Sequence, residues 1–300
     1  MQRLVVLGSI VFFGLLAMAV RGQQTPPVAP AMPPVDSIAK VADNVYRIPG
    51  AGGNSAAFVH AQGVLLVDTK LANNGQALLD QIKKVTDKPV THIVNTHTHG
   101  DHTGSNAFFP ATVEIVAHAN TKANMEKMDA FKAADGKVGL PDRVYKDRMT
   151  LFSGKDAVDL YYFGRAHTDG DSLVVFRAAR VMHAGDMFAR KGQPLLDAAN
   201  GGSGVAYGDT IGKAAAGIKN VDQVITGHGD VMAWQDFVNY GEFNRLFLAS
   251  ARAALAAGKS AEQAMAEFKL PEKFNDYVLT GPRVGPGGNF TPIFAELSKR

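Results

Sequence analysis

The chain reads as an α/β protein of four layers, two packed sheets with helices outside. Three observations carry that expectation. Short β-branched apolar runs alternate with segments of helical spacing. The alternation comes in two batches, one before about Thr121 and one after about Val158, which suits two sheets. Several strands also end on a histidine or an aspartate, at the edge where α/β proteins place their sites. Periodicity alone does not separate this arrangement from a single doubly wound sheet.

In chain order, Asn44–Ile48 and Ala56–His60 are short strand candidates. Gly63–Asp68 is an apolar strand ending in an acid. Gly75–Val85 repeats its apolar residues at Leu78, Leu79, Ile82 and Val85, the period of a helix. Val90–Asn95 is β-branched and runs into a histidine-rich loop. Val113–Ala117 is a further strand, and Thr121–Phe131 carries Met125, Met128 and Phe131 at helical spacing, by default a core stripe. Val158–Phe163, Ser172–Phe176, Val181–Ala184 and Val221–Ile225 are strands. Asp236–Ala257 is a long helix with Phe237, Tyr240, Phe243 and Phe247 on one side. Ser260 with Gln263 forms a capping box for the next helix, and Thr291-Pro292 suggests the N-cap and first turn of the last.

Met1-Gln2-Arg3 followed by the apolar run Leu4–Val20, with Ala17-Met18-Ala19 near its end, reads as a signal peptide over residues 1–19. An uncleaved anchor is the competing reading, although the run is short for a membrane span. Residues 20–35 are a Pro-rich, extended linker. A single domain is expected over 36–300, with a periplasmic or secreted location. Nucleic-acid binding is not expected: the net charge is +3 and no basic block is present. Nor is stable membrane insertion expected once the leader is removed.

Cysteine is absent. That excludes a thiol nucleophile, a thiolate zinc site and an iron–sulfur cluster. Any metal must be held by histidine and carboxylate. The segment His97-Thr98-His99-Gly100-Asp101-His102 offers both. At this composition a chance H-x-H-x-D-H arises about once in two thousand such chains. A bent loop after a strand turns side chains two apart to one side, so His97 and His99 can share a cation. Asp101 and His102 then point to a neighbouring position, and the mixed donors suit zinc. His167, Asp186 and His228 each follow a strand, on the same edge.

These segments, THTHGDH at 96–102, GRAHTDGD at 164–171, HAGDMF at 183–188 and TGHGD at 226–230, resemble the metallo-β-lactamase superfamily. VLLVDT at 64–69 is similar to that family's early strand, and the resemblance spans about Asp43 to Tyr240. It implies the αββα sandwich and two zinc ions per chain. One would be held by His97, His99 and His167, the other by Asp101, His102 and His228, with Asp186 bridging. Asp68 would brace the ligand loop by hydrogen bonds. Asp101 is also the candidate catalytic residue, orienting the attacking water or moving its proton. An Asp at 186 looks more like hydroxyacylglutathione hydrolases and acyl-homoserine lactonases than like zinc β-lactamases.

The implied activity is a secreted zinc hydrolase of small molecules, in which a water ionised by the metal attacks the carbonyl of a cyclic amide or ester such as a β-lactam or lactone. A glyoxalase II-like thioesterase and an iron-dependent persulfide dioxygenase-like enzyme are the alternatives. His118 and His183 read as structural, His60 and His92 have no evident partner, and Asp169 and Asp171 read as turn-closing. The loops 119–148 and 193–207, the second with Gly201-Gly202-Ser203-Gly204, are expected to wall the pocket.

Overall fold

Two β-sheets, built from separate halves of the sequence, lie face to face in the computed structural model, which describes residues 32–132, 139–280 and 285–299. The expected signal peptide and most of the linker lie outside the described residues. The first sheet has seven strands in sequence order: β1 (Ala39–Ala42), β2 (Val45–Ile48), β3 (Ser55–His60), β4 (Gly63–Val67), β5 (Val90–Asn95), β6 (Glu114–His118) and β7 (Arg143–Tyr145). β1–β4 form an antiparallel meander, while β4–β7 run parallel. The parallel strands are joined through α1 (Gly75–Lys83), the single turn α2 (Gly100–Thr103) and α3 (Ala119–Met125).

The second sheet holds β8 (Arg148–Leu151), β9 (Val158–Tyr161), β10 (Leu173–Phe176), β11 (Val181–His183), β12 (Gln223–Ile225) and β13 (Val231–Ala233). Only β11 and β12 pair in parallel, with α4 (Tyr207–Gly217) in the crossover between them. Three helices follow: α5 (Trp234–Ala256), α6 (Ala261–Glu267) and α7 (Phe290–Leu297).

Side-chain alternation explains the four layers. Leu65 and Val67 of β4 face Val174 and Phe176 of β10 in the core between the sheets. Their neighbours Val64 and Leu66 turn the other way, onto Leu78 and Ile82 of α1. Leu173 and Val175 likewise turn outward, onto a cluster with Tyr207 and Ile211 of α4 and Phe237, Tyr240 and Phe243 of α5. Strands covered on both faces must be apolar throughout, which is why these stretches read as continuous runs.

Several elements differ from the sequence expectation. β1, β7, β8 and β13 are short pieces without a legible period. α4 is not among the expected helices; it contains three glycines, yet Tyr207, Ile211 and Ala214 make its buried stripe. The helix expected over Thr121–Phe131 stops at Met125, and Met128 is extended before a 3-10 turn at Asp129–Phe131. α5 begins at Trp234, with the Asp236 carboxylate accepting from the Ala233 amide. α7 begins at Phe290, so Thr291-Pro292 sits inside its first turn. Packing starts before Asp36: the Pro33 carbonyl accepts from Ala51 N at 2.7 Å and Val35 is buried. The Ser260–Gln263 capping box forms as expected.

Candidate metal centre

The seven residues expected as ligands meet at one edge of the sandwich. His97 and His99 leave β5 on the loop into α2, which itself carries Asp101 and His102. His167 lies in the β9–β10 connection, Asp186 in the turn after β11, and His228 in the loop after β12. Close approach of the last two segments requires Gly227, where a Cβ would stand 1.9 Å from Asp186 Oδ1.

Two donor groups result. His97, His99, His167 and Asp186 each offer an atom within 4.8 Å of the others, as do Asp101, His102 and His228. His99 Nδ1 and His167 Nε2 are 3.0 Å apart. His102 Nε2 and His228 Nε2 are 3.4 Å apart, and Asp101 Oδ2 lies 3.3 Å from His228 Nε2. Asp186 faces both groups: Oδ1 is 3.3 Å from His102 Nε2, and Oδ2 is 3.2 Å from His228 Nε2 and 3.7 Å from His167 Nε2.

Outer hydrogen bonds fix which nitrogen of each ring faces inward. His102 Nδ1 donates to Asp68 Oδ2 at 2.7 Å, leaving Nε2 for the centre. Thr96 Oγ1 donates to the same oxygen at 2.7 Å, so it accepts from His97 Nδ1 at 3.0 Å. His167 Nδ1 donates to the Leu195 carbonyl at 2.7 Å. His99 is reversed: its Nε2 donates to Asp197 Oδ2 at 2.7 Å and Nδ1 faces inward. With the rings neutral, the converging nitrogens are all acceptors.

Such a convergence of lone pairs is unfavourable unless a cation sits among them. His97 Nε2 and Asp186 Oδ1 are moreover buried with no hydrogen-bond partner. Imidazole nitrogens with carboxylate oxygens are donors that zinc accepts, so the residues fit the group the sequence implies. Burial pushes His97 well below its ordinary value and His167 down to about 4, which keeps both rings neutral. Burial also pushes His102 down, but the Asp186 and Asp68 carboxylates outweigh it and hold that imidazole well above its ordinary value. His102 is therefore the ring whose proton a metal must displace.

The remaining polar candidates are structural. His118 Nδ1 accepts from Asn120 N at the start of α3, its Nε2 donates to the Lys146 carbonyl, and it stacks on Tyr162. His183 donates to the Asn54 carbonyl and accepts from Gly185 N. His60 and His92 do have partners: both meet Thr91 Oγ1, and His92 faces Glu114. Asp171 closes its turn through Thr168, while Asp169 accepts from Asn124. Gly202 is buried against the His167 carbonyl, and Gly204 is buried against Ile293 and Leu196. The sequence alone does not mark the roles of Thr96, Asp197, the Leu195 carbonyl and Asn54. Asp197 shows why: Asp197-Ala198-Ala199-Asn200 reads as a turn cap, which it is, and nothing local reports that its other oxygen meets His99.

The chain is similar to known proteins. The chain is 26% identical over 241 residues to "Metallo-beta-lactamase type 2" of Elizabethkingia meningoseptica, covering 76% of this chain and 88% of that one. It is 26% identical over 194 residues to "Metallo-beta-lactamase IND-1" of Chryseobacterium indologenes, covering 62% and 78%. Among solved structures it is similar in fold to the stereoselective inverting sec-alkylsulfatase Pisa1 from Pseudomonas sp., with a TM-score of 0.72 at 14% identity. That match covers 87% of this chain but spans only half the length of the sulfatase chain. The family model of the metallo-beta-lactamase superfamily matches residues 48–262. The chain belongs to the metallo-β-lactamase superfamily.

Proposed function

We infer that the protein is an exported binuclear zinc hydrolase of cyclic amides or esters, β-lactams and lactones foremost. The observation that carries this reading is the double convergence of acceptor atoms on Asp186, with His97 Nε2 and Asp186 Oδ1 orphaned. His97, His99 and His167 would hold one ion, Asp101, His102 and His228 the other, and Asp186 would face both. When bound, such a pair supplies a water acidic enough to ionise near neutral pH and a Lewis acid for the carbonyl oxygen.

The chain's own residues do the rest. Asp68, Asp197 and the Leu195 carbonyl hold the imidazoles in their acceptor tautomers. Asp186 is buried between the two donor groups and would hold the ions, whereas the Asp101 carboxylate is 23% exposed. Asp101 is thus the group placed to orient an attacking water and pass its proton outward. No serine or cysteine nucleophile is required. The names of the two lactamase relatives favour a β-lactam within the amide class.

The test is elemental analysis of the purified protein with a panel of β-lactams, lactones and thioesters. Two zinc per chain with turnover of a lactam or lactone is expected. One iron without zinc, or turnover of none of the panel, overturns the reading. No helix among the described residues is long and apolar enough to cross a membrane. Mass spectrometry of exported protein should find an N-terminus between about Val20 and Thr25. An intact Met1 on membrane-bound protein would support the anchor instead.

A further inference from the structure

Lys70 is a buried lysine that the chemistry above does not use. Its side chain is fully enclosed, and it follows Asp68 on the segment leaving β4. Among the described residues no carboxylate bonds it. Its Nζ donates instead to two carbonyls, Ile48 at 2.5 Å and Gly53 at 2.6 Å. Burial pushes the ammonium down to about 7. An enclosed ammonium without a counter-ion is costly, and an apolar side chain would fill the same space without that cost. What it holds in place is therefore informative.

Gly53 lies in the turn between β2 and β3, and that turn touches both segments that carry the second donor group. Gly53 N donates to the Asp101 carbonyl at 3.1 Å. Its α-carbon lies flat against the His102 ring, so a Cβ would fall 2.1 Å from that ring's Cε1. The next residue grips the other side. Asn54 N donates to the Gly227 carbonyl at 2.6 Å, and Asn54 Nδ2 donates to the Thr226 and Gly229 carbonyls at 2.8 Å each, bracketing His228. The Lys70 carbonyl meanwhile accepts from Gly104 N at the end of α2. One turn thus spans Asp101, His102 and His228, and one buried lysine ties that turn to the end of β2 and to the segment that follows β4. Charge-assisted bonds to carbonyls are well suited to the task.

We propose that Lys70 is a positioning residue for the second metal half-site, anchoring the Gly53–Asn54 turn that clamps Asp101, His102 and His228. This rests on the two-metal reading above. The first donor group has its own supports, Asp197 and the Leu195 carbonyl, so the two sites should respond separately.

The experiment is stepwise titration of metal-free protein with cobalt(II), followed by its visible spectrum and by chelator competition. Wild type, Lys70→Met and Asn54→Ser are compared. In Lys70→Met the second equivalent should bind about 10–100-fold more weakly, with its ligand-field bands shifted and the first equivalent unchanged. Asn54→Ser pulls at the same clamp from the His228 side, keeps Lys70, and should show the same selective loss. It therefore decides the matter if Lys70→Met does not fold. Equal weakening of both equivalents, as general destabilisation would give, overturns the proposal, as does no change in either. A wild type that takes up one ion only overturns the two-metal reading and this inference with it. A wild type that takes up two, with unaltered variants, overturns this inference alone.

Discussion

Replacing Asp197 by asparagine should cost the first metal half-site most of its affinity without touching a ligand. Every contact of that carboxylate is made as an acceptor. Oδ1 accepts from Ala199 N and Asn200 N at 3.1 Å each, and Oδ2 accepts from His99 Nε2 at 2.7 Å and Asn200 Nδ2 at 2.6 Å. An amide has one accepting end, so Asp197→Asn must turn its NH2 group either on two backbone amides or on His99. In the second case His99 Nε2 must accept, its proton moves to Nδ1, and the nitrogen that faces His167 is blocked. Losing such an outer partner costs 10–100-fold in metal affinity, about 1.4–2.7 kcal/mol. Competition against a chromophoric chelator reads the first equivalent, and nitrogen-15 spectra of the histidines read the tautomer. Asn200→Ala, which removes one donor and leaves the acceptor toward His99, should stay near wild type. Wild-type affinity with His99 still protonated on Nε2 in Asp197→Asn would refute the reasoning.

Three further outcomes are expected. Asp186→Asn keeps the shape but removes the charge between His102 and His228, so it should weaken the second equivalent by about tenfold or more and slow turnover; unchanged metal content and rate would make Asp186 only a strand-end acid. His183 is held down to about 4 by burial, whereas the unfolded chain takes up that proton near 6.5. The unfolded state thus binds more protons between these values, so metal-free protein should lose about 3 kcal/mol from this group as pH falls from 6.5 to 4. Urea midpoints of wild type and His183→Gln that run parallel across that window would contradict this. Phe176→Ala should cost about 3–5 kcal/mol in urea unfolding, because the ring is 1% exposed between the sheets against Phe58; a loss under about 1 kcal/mol would mean the sheets do not meet there.

The layering and the donor set were legible because both depend on local signals. Apolar runs such as Val64–Val67 and Leu173–Phe176 report strands covered on two faces, and three histidines with an aspartate in six positions report a metal loop. What stayed hidden is held by tertiary contact. β7 and β13 are strands only because β6 and β12 offer an edge to pair with. α4 contains glycines that a helix scale rejects, and packing against α5 overrides that preference. Asp197 and Lys70 are an ordinary turn residue and an ordinary lysine until the fold brings one to His99 and encloses the other under the Gly53 turn.

The connection from β7 to β8 carries a further consequence. Everything before it builds one sheet and everything after it the other, and neither donor group is complete within one half. His97 and His99 come from the first half, His167 and Asp186 from the second; Asp101 and His102 come from the first, His228 from the second. Each ion would therefore be a removable cross-link between the two halves of a chain that has no cysteine to make a permanent one. At a hundredfold excess over its dissociation constant, one ion adds about 2.7 kcal/mol to the folded state. The centre could assemble only after the two sheets had met, so metal capture would come late in folding and would afterwards oppose their separation.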